Sequence, residues 1–103
     1  MMEKKTPHYV LGEIQAIVAD RFNCVFTRLA LAGGLSLGLT EPDMREVVLS
    51  LSRADFYKSM TTYNDHSLWQ DVYHGETLDG VAVYIKITGF ADNRPPVIQF
   101  KAK

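Results

Sequence analysis

Apolar residues recur at helical spacing in the first part of the chain. Thr6 followed by Pro7 is typical of an N-cap with proline in the first helical turn. A first helix is therefore predicted over residues 7–20, and its apolar positions are Val10, Leu11, Ile14, Ile17 and Val18. The next segment, residues 23–26, is compatible with either a short strand or a link.

Capping patterns predict two more helices. Thr27 can cap a short helix that runs through Ala32 and ends at the glycine pair of residues 33–34. The stretch "TEPD", which begins at Thr40, resembles a capping box. The helix that follows it presents one apolar stripe, made of Met44, Val47, Val48 and Leu51.

The period of the pattern changes from helical to alternating after residue 58. Ser52 and Asp55 offer a cap for one more turn, which is expected to end near Lys58. Residues 67–73 are rich in aromatic and β-branched side chains, "GETLDG" (75–80) is typical of a turn, and "VAVYIKITGF" (81–90) alternates. The connection "ADNRPP" (91–96) leads to a last alternating run, "VIQFKAK" (97–103). Three or four sequential strands with short connections favour antiparallel neighbours.

Helices followed by strands predict an α+β fold, with N-terminal helices packed on a C-terminal antiparallel sheet. The chain has 103 residues, and no repeat, low-complexity stretch or linker interrupts it. A single domain over residues 1–103 is therefore expected.

Alternation divides the side chains of the last two predicted strands between two faces. The face expected in the core carries Val81, Val83, Ile85, Ile87, Ile98 and Phe100, and the opposite face carries Ala82, Tyr84, Lys86, Thr88, Val97, Gln99, Lys101 and Lys103. Tyr84 and Lys101 then share the face away from the helices. Each face of the strand around Trp69 carries both polar and apolar side chains, so the alternation does not show on which face Gln70 lies. Tyrosine and lysine on a polar strand face are ordinarily solvated surface, so this pattern alone does not define a site.

Composition narrows the class of protein. The formal net charge is -1, so a nucleic acid or an anionic membrane would have to be bound by a local patch. The single Cys24 excludes an intramolecular disulfide, and its apolar neighbours predict a small buried residue. No apolar run approaches the roughly 20 residues of a membrane-spanning helix, and the N-terminus lacks the apolar core of a signal peptide. A soluble, unprocessed cytoplasmic protein is expected.

The usual cofactor motifs are missing from the sequence. His8, His66 and His74 have neither cysteine partners nor tight ligand spacing, so no metal site is predicted. The glycine pair of residues 33–34 lacks the rest of any phosphate-binding or dinucleotide-binding loop. No cofactor is expected.

Four stretches carry a family resemblance over nearly the whole chain. They are "EKKTPHYVL", "DFYKSMTTYNDHSLWQDVY", "VYIKIT" and "VIQFKAK", and together they resemble the MqsR family of bacterial toxins (motility quorum-sensing regulators), the RNase members of toxin–antitoxin pairs. The resemblance implies a RelE-like α+β fold and ribosome-independent cleavage of mRNA at GC-containing triplets such as GCU, with arrest of translation and growth. It also implies neutralisation by a zinc-containing MqsA-type antitoxin, and no DNA binding by this chain alone.

The resemblance assigns four catalytic candidates. They are Lys58 in "DFYKSM", Gln70 in "WQD", Tyr84 in "VYIKIT", and Lys101 after the last core phenylalanine. Two of them, Tyr84 and Lys101, are the pair that alternation had placed on one polar face. Three further residues are RNA-binding candidates: Tyr57 and Trp69 could stack on unpaired bases, and His74 stands where an arginine is expected in the family.

The chemistry implied is metal-independent attack of the ribose 2′-hydroxyl on the adjacent phosphate. Lys58 and Lys101 would supply positive charge and could also donate a proton, Gln70 would orient the phosphate or a base, and Tyr84 would transfer a proton. Tyrosine can act as a base near neutral pH only if the lysines depress its pKa. The alternative is a non-catalytic RNA- or protein-binding module, such as a decayed toxin. Three departures from what is expected in the family suggest it: a less basic "HGETLDG" loop, a longer "ADNRPP" connection and a less positive net charge.

Overall fold

A five-stranded sheet with helices on one face makes up the fold. The computed structural model describes residues 2–90 and 94–103, and over these residues the architecture is α+β. The elements in chain order are β1 (Glu3–Lys4), α1 (Leu11–Ala19), α2 (Arg28–Ser36), α3 (Glu41–Leu49), a 3₁₀ turn (Arg53–Asp55), β2 (Phe56–Thr61), β3 (Trp69–Glu76), β4 (Ala82–Thr88) and β5 (Val97–Ala102).

The strands lie in the order β1-β2-β3-β4-β5, and every neighbouring pair is antiparallel. The predicted helices and antiparallel sheet are thus confirmed. The second half contains four sequential strands, β2 to β5, as the expectation of three or four allows, although the sequence had placed no strand at residues 56–61. The additional strand β1 near the N-terminus was not predicted. Ser52 and Asp55 do form the expected capping box, but the turn stops at Asp55 and the chain enters β2 at once. Lys58 therefore lies inside a strand, not at its start.

The core lies between the helices and one face of the sheet. Its sheet side is the predicted one: Val83, Ile85, Ile87, Ile98 and Phe100 are each at most 2% exposed. Val81 was expected to join them but is 40% exposed, because it precedes β4 and adjoins the turn. Ile14 and Val18 of α1 and Met44, Val47 and Val48 of α3 close the core from the helix side. The helices pack on this face of the sheet, which leaves the opposite face without a covering layer of helices.

Of the N-caps predicted for the three α-helices, two are confirmed. The Thr27 hydroxyl accepts from the Ala30 N–H at 3.0 Å, and Thr40 forms a reciprocal capping box with Asp43. The predicted end of α2 was wrong, since the helix continues through the glycine pair of residues 33–34 to Ser36. A Cβ on Gly33 would lie 2.8 Å from the Phe100 carbonyl oxygen, so this glycine allows α2 to approach β5 closely.

The first helix begins later than predicted. α1 starts at Leu11, its N-cap is Val10 without a side-chain cap, and Thr6 and Pro7 lie before it. The cause is Asp71 on β3, whose 1%-exposed side chain accepts hydrogen bonds from the backbone N–H groups of His8 and Tyr9. Residues 7–10 therefore form a non-helical strap bound to β3 instead of starting the helix.

Other predictions concern the links between elements. Residues 23–26 form a link in which Phe26 makes an isolated parallel bridge to Ile98. Cys24 is exposed, which contradicts the expectation of burial. Within "ADNRPP", residues 91–93 lie outside the described residues, so the prediction of a long connection is not tested there. Among the residues described, no helix is long and apolar enough to span a membrane.

Candidate functional site on the open face of the sheet

We call the face of the sheet that points away from the helices the open face. The register of the strands arranges its side chains in three rows. The upper row is Met60, Gln70, Thr88 and Val97; the middle row is Lys58, Val72, Lys86 and Gln99; and the lower row is His74, Tyr84 and Lys101. Side chains of paired residues point to the same side of a sheet, so each row is a line of neighbours.

All four predicted catalytic residues lie on the open face. Tyr84 pairs directly with Lys101 across β4 and β5, which confirms that alternation put them on one face. Gln70, which the sequence left unplaced, lies on the same side because it pairs with Thr88. Lys58 is opposite Val72. Residues from four different strands are thus brought together although 43 positions separate the first from the last in sequence.

A β-bulge in β2 adds an aromatic ring to the face. The register shifts between Phe56 and Lys58, so Phe56 points into the core against Tyr73 while the next two side chains both reach the open face. Bulges commonly re-aim a side chain in this way. The Tyr57 ring consequently stacks on His74, with ring centroids 4.5 Å apart.

The lower row is a cluster of rings beside ammonium groups. His74 meets Tyr84 edge to face at 5.0 Å between centroids. The Nζ atoms of Lys101 and Lys103 each lie 5.9 Å from the centroid of the Tyr84 ring, within the range at which a cation is attracted by an aromatic face. The predicted candidate His74 therefore adjoins Tyr84, and Tyr57 is joined to it through His74.

Lys58 is held by a carboxylate that sequence reasoning missed. Its Nζ lies 2.7 Å from Oε1 of Glu3 on β1. The hydrogen bond to Glu3 raises the pKa of Lys58, and the same contact lowers the pKa of Glu3. Lys58 is therefore a fixed cation at neutral pH. Glu3 could have been found only by predicting β1, which is two residues long.

His74 is neutral near pH 7. Burial, and then the neighbouring ammonium of Lys103, lower its pKa from the ordinary histidine value. Its Nδ1 atom lies 3.2 Å from Nζ of Lys103, and its buried Nε2 has no hydrogen-bond partner among the residues described. His74 thus presents an uncharged ring, where the family resemblance leads one to expect a charged arginine.

Lys86 occupies the centre of the open face. Burial lowers its pKa first, and the ammonium groups of Lys101 and Lys58 lower it further. A cavity of about 330 Å³ adjoins it, lined on the sheet side by Tyr84, Gln99 and Lys101 and on the other side by the first turn of α2. Alternation had placed Lys86 on the polar face, but no motif distinguished it from a solvated lysine.

Trp69 is not brought to the open face. It pairs with Thr61 on the helix side of the sheet, where its ring stacks on His8 at 5.4 Å between centroids and the Nζ atom of Lys4 lies 4.3 Å from the ring centroid. It is therefore separated from the other RNA-binding candidates by the sheet itself. Within residues 2–90 and 94–103, no three His, Cys, Asp or Glu side chains are grouped so that they could hold a metal ion.

Comparison with known proteins identifies the family of the chain. The chain is 44% identical over 102 residues to the mRNA interferase toxin MqsR of Escherichia coli (strain K12), and the match covers 99% of this chain and 100% of that relative. A family model described as the motility quorum-sensing regulator, toxin of MqsA, matches residues 6–102. With a match of this extent, the chain belongs to the MqsR toxin family.

Proposed function

We propose that this protein is an endoribonuclease toxin of a toxin–antitoxin pair, which cleaves mRNA at GC-containing triplets such as GCU without the ribosome and without a metal ion. Translation and growth stop as a result, and an MqsA-type antitoxin neutralises the toxin. The protein acts in the cytoplasm as one RelE-like domain over residues 1–103 and binds no DNA by itself. The relative's name, mRNA interferase toxin, supports the reaction class.

One observation carries the proposal. The four residues assigned by the resemblance come from four strands, yet all lie on the single face that no helix covers. Phosphate binding needs cations that solvent and substrate can reach, and three ammonium groups of the middle and lower rows meet that requirement: Lys58, Lys86 and Lys101. A chain of net charge -1 thereby presents a local positive surface to RNA.

The proposed reaction begins with removal of the proton of the 2′-hydroxyl. The 2′-oxygen then bonds to phosphorus and the bond to the 5′-oxygen breaks, leaving a 2′,3′-cyclic phosphate and a 5′-hydroxyl. Tyr84 is the candidate base for the 2′-hydroxyl. Lys58 and Lys101 stabilise the charge that develops on the phosphorane oxygens, and Gln70 orients the phosphate or a base through hydrogen bonds.

Unpaired bases would stack beside the lower row. The Tyr57 ring is 46% exposed and already forms a stack with His74. A base stacked on its exposed part would extend that stack beside the ammonium groups of Lys5 and Lys58, which lie 5.3 and 5.4 Å from the ring centroid. Such contacts are worth about 1–3 kcal/mol per base. Trp69 is left out of the proposed site because it lies on the opposite face of the sheet.

The test is cleavage of a defined RNA in EDTA by the wild-type protein and by Tyr84→Phe, which keeps the ring and removes the hydroxyl. We expect fragments with cyclic phosphate ends from the wild type and a rate at least about 100-fold lower from Tyr84→Phe. Lys4→Met is the matched control, because it removes an ammonium from the opposite face of the same sheet and should cleave normally.

Binding and folding measurements separate the alternatives. RNA affinity and antitoxin binding should survive in Tyr84→Phe, since shape and stacking are kept. A wild-type protein that binds RNA but leaves it intact would support the non-catalytic module instead. Cleavage that disappears in EDTA and returns with a divalent ion would refute the metal-independent mechanism.

A further inference from the structure

Lys86 lies at the centre of the four residues assigned by the resemblance, although the resemblance assigns no role to it. Tyr84 is two residues before it on the same strand, Gln70 and Lys101 lie diagonally across on β3 and β5, and Lys58 is in the same row. Three of the four are therefore immediate neighbours of Lys86 on the open face, and Lys58 lies two strands away in the same row.

The middle row sets the distance between Lys58 and Lys86. Between Lys58 and Lys86 stands Val72, which points to the open face and yet is only 2% exposed. The side chains that flank Val72 must therefore cover it. Two strand spacings of roughly 4.8 Å separate the lysine backbones by about 10 Å, a gap that the two long side chains can bridge through one phosphate.

The two lysines differ in their partners. The ammonium of Lys58 is paired with Glu3 at 2.7 Å. Within residues 2–90 and 94–103, the ammonium of Lys86 has neither a hydrogen bond nor an ion pair, and two other lysines repel it. The contact with Glu3 raises the pKa of Lys58, whereas burial and like charges lower the pKa of Lys86. Lys58 is suited to remain a cation and Lys86 to release a proton.

We propose that Lys86 is the general acid of the cleavage reaction, donating a proton from its ammonium to the departing 5′-oxygen. The inference rests on the proposed function. As the 2′-oxygen bonds to phosphorus, the phosphorus–5′-oxygen bond breaks and its electron pair takes the proton from Nζ. The products are the 2′,3′-cyclic phosphate, a 5′-hydroxyl and a neutral Lys86 amine, which water then protonates again. The base that removed the 2′-proton returns it to solvent, so protons balance over one turnover.

A substrate with a better leaving group tests this role directly. Two RNAs of the same sequence are compared, one natural and one with sulfur in place of the bridging 5′-oxygen at the cleaved phosphate. A thiolate leaves without being protonated. Loss of a general acid should therefore slow cleavage of the oxygen substrate by about 100- to 10,000-fold, and should hardly slow cleavage of the sulfur substrate.

The variants are Lys86→Met, Lys86→Arg and the opposite-face control Lys4→Met. Lys86→Met keeps the length of the side chain and removes a half-buried charge, so its thermal midpoint should equal or exceed that of the wild type. We expect it to lose at least about 100-fold in kcat on the oxygen substrate and less than about 5-fold on the sulfur substrate. Lys86→Arg should keep RNA affinity but fail to restore kcat, because guanidinium does not release its proton.

The outcomes separate this inference from the proposed function. Equal losses on both substrates would show that Lys86 binds phosphate without donating a proton, and unchanged rates on both would show that it has no part in the reaction. Either result overturns the inference while leaving the nuclease intact. If the wild-type protein cleaves neither substrate, the proposed function fails and the inference fails with it.

Discussion

Asp71→Asn should detach the N-terminal strap from the sheet at a measurable cost in stability. The Asp71 carboxylate accepts from the His8 N–H at 3.0 Å on each oxygen and from the Tyr9 N–H at 2.9 Å. An asparagine keeps one oxygen acceptor and turns an amide N–H₂ toward the other site. An oxygen at the Oδ2 site can still accept from both N–H groups, but these bonds lose the charge of the carboxylate. The amide N–H₂ at the Oδ1 site faces the His8 N–H and becomes a donor without an acceptor, in a place where the replaced residue is 1% exposed.

The magnitude follows from the two hydrogen bonds. A hydrogen bond to a charged group contributes about 1.5–3 kcal/mol, and an unsatisfied buried donor costs about 1–3 kcal/mol. We therefore expect Asp71→Asn to lower the free energy of unfolding by about 2–3 kcal/mol. In a chain of this size, that loss corresponds to a fall in the thermal midpoint of about 10 °C.

Urea unfolding followed by circular dichroism and by tryptophan fluorescence measures the loss. Trp69 is the single tryptophan, and it contacts the strap directly, because the Tyr9 hydroxyl donates to its carbonyl oxygen at 2.7 Å. Its fluorescence therefore reports the strap, while the circular dichroism reports the whole fold. Asp79→Asn, an exposed turn position, is the matched control. A change below about 0.5 kcal/mol in Asp71→Asn would refute the argument, since that is the size of an ordinary surface substitution.

Three further predictions concern packing, charge and pH. Gly33→Val should cost about 1–3 kcal/mol by forcing α2 away from β5, as measured by urea unfolding, whereas Gly12→Val meets no atom within 4 Å at its Cβ and should cost less. Glu3→Gln should free the ammonium of Lys58 for phosphate and tighten RNA binding several-fold in a salt titration; an unchanged Kd would show that the pair does not compete with RNA. The folded-state pKa of His74 lies below its unfolded value of about 6.5, so the unfolded chain binds more protons and stability should fall as pH drops through 6.5. The thermal midpoint should lose part of this pH dependence in His74→Gln, and an identical pH profile in the two proteins would contradict the assignment.

The distribution of charge reconciles a net charge of -1 with a site for RNA. Lysines dominate the open face, whereas a separate cavity of about 350 Å³ between α3 and the β3–β4 turn is lined by four acidic residues: Asp43, Glu46, Glu76 and Asp79. The overall charge therefore averages two regions of opposite sign. The attraction of a polyanion to the open face depends on the charges near that face and not on the net charge of the chain.

Local sequence signals were reliable where the interaction is itself local. The capping box of Thr40 and Asp43 involves residues three positions apart, and it formed as predicted. The alternation in β4 and β5 also held, since successive side chains of any strand point to opposite faces. That regularity is sufficient to place Tyr84 and Lys101 on one face from the sequence alone.

Other signals failed because a distant part of the chain competed with them. Thr6 and Pro7 are a good helix start by sequence, yet the carboxylate of Asp71, more than 60 positions away, takes the backbone N–H groups of the next residues. The glycine pair of residues 33–34 is a good helix end, yet close packing on β5 keeps it inside α2. In both cases a tertiary contact outweighs a local preference of about 1 kcal/mol.

The sequence by itself determined the class of fold, the core face of the last two strands and, through its motifs, the identity of four candidate residues. Only the tertiary structure decided that Lys58 and Gln70 join Tyr84 on one face, that Glu3 pairs with Lys58, and that Lys86 stands in the middle of them. The reason is physical. Side-chain direction within a strand follows from a period of two, but which strands are neighbours, and in which register, depends on pairing between segments far apart in the chain.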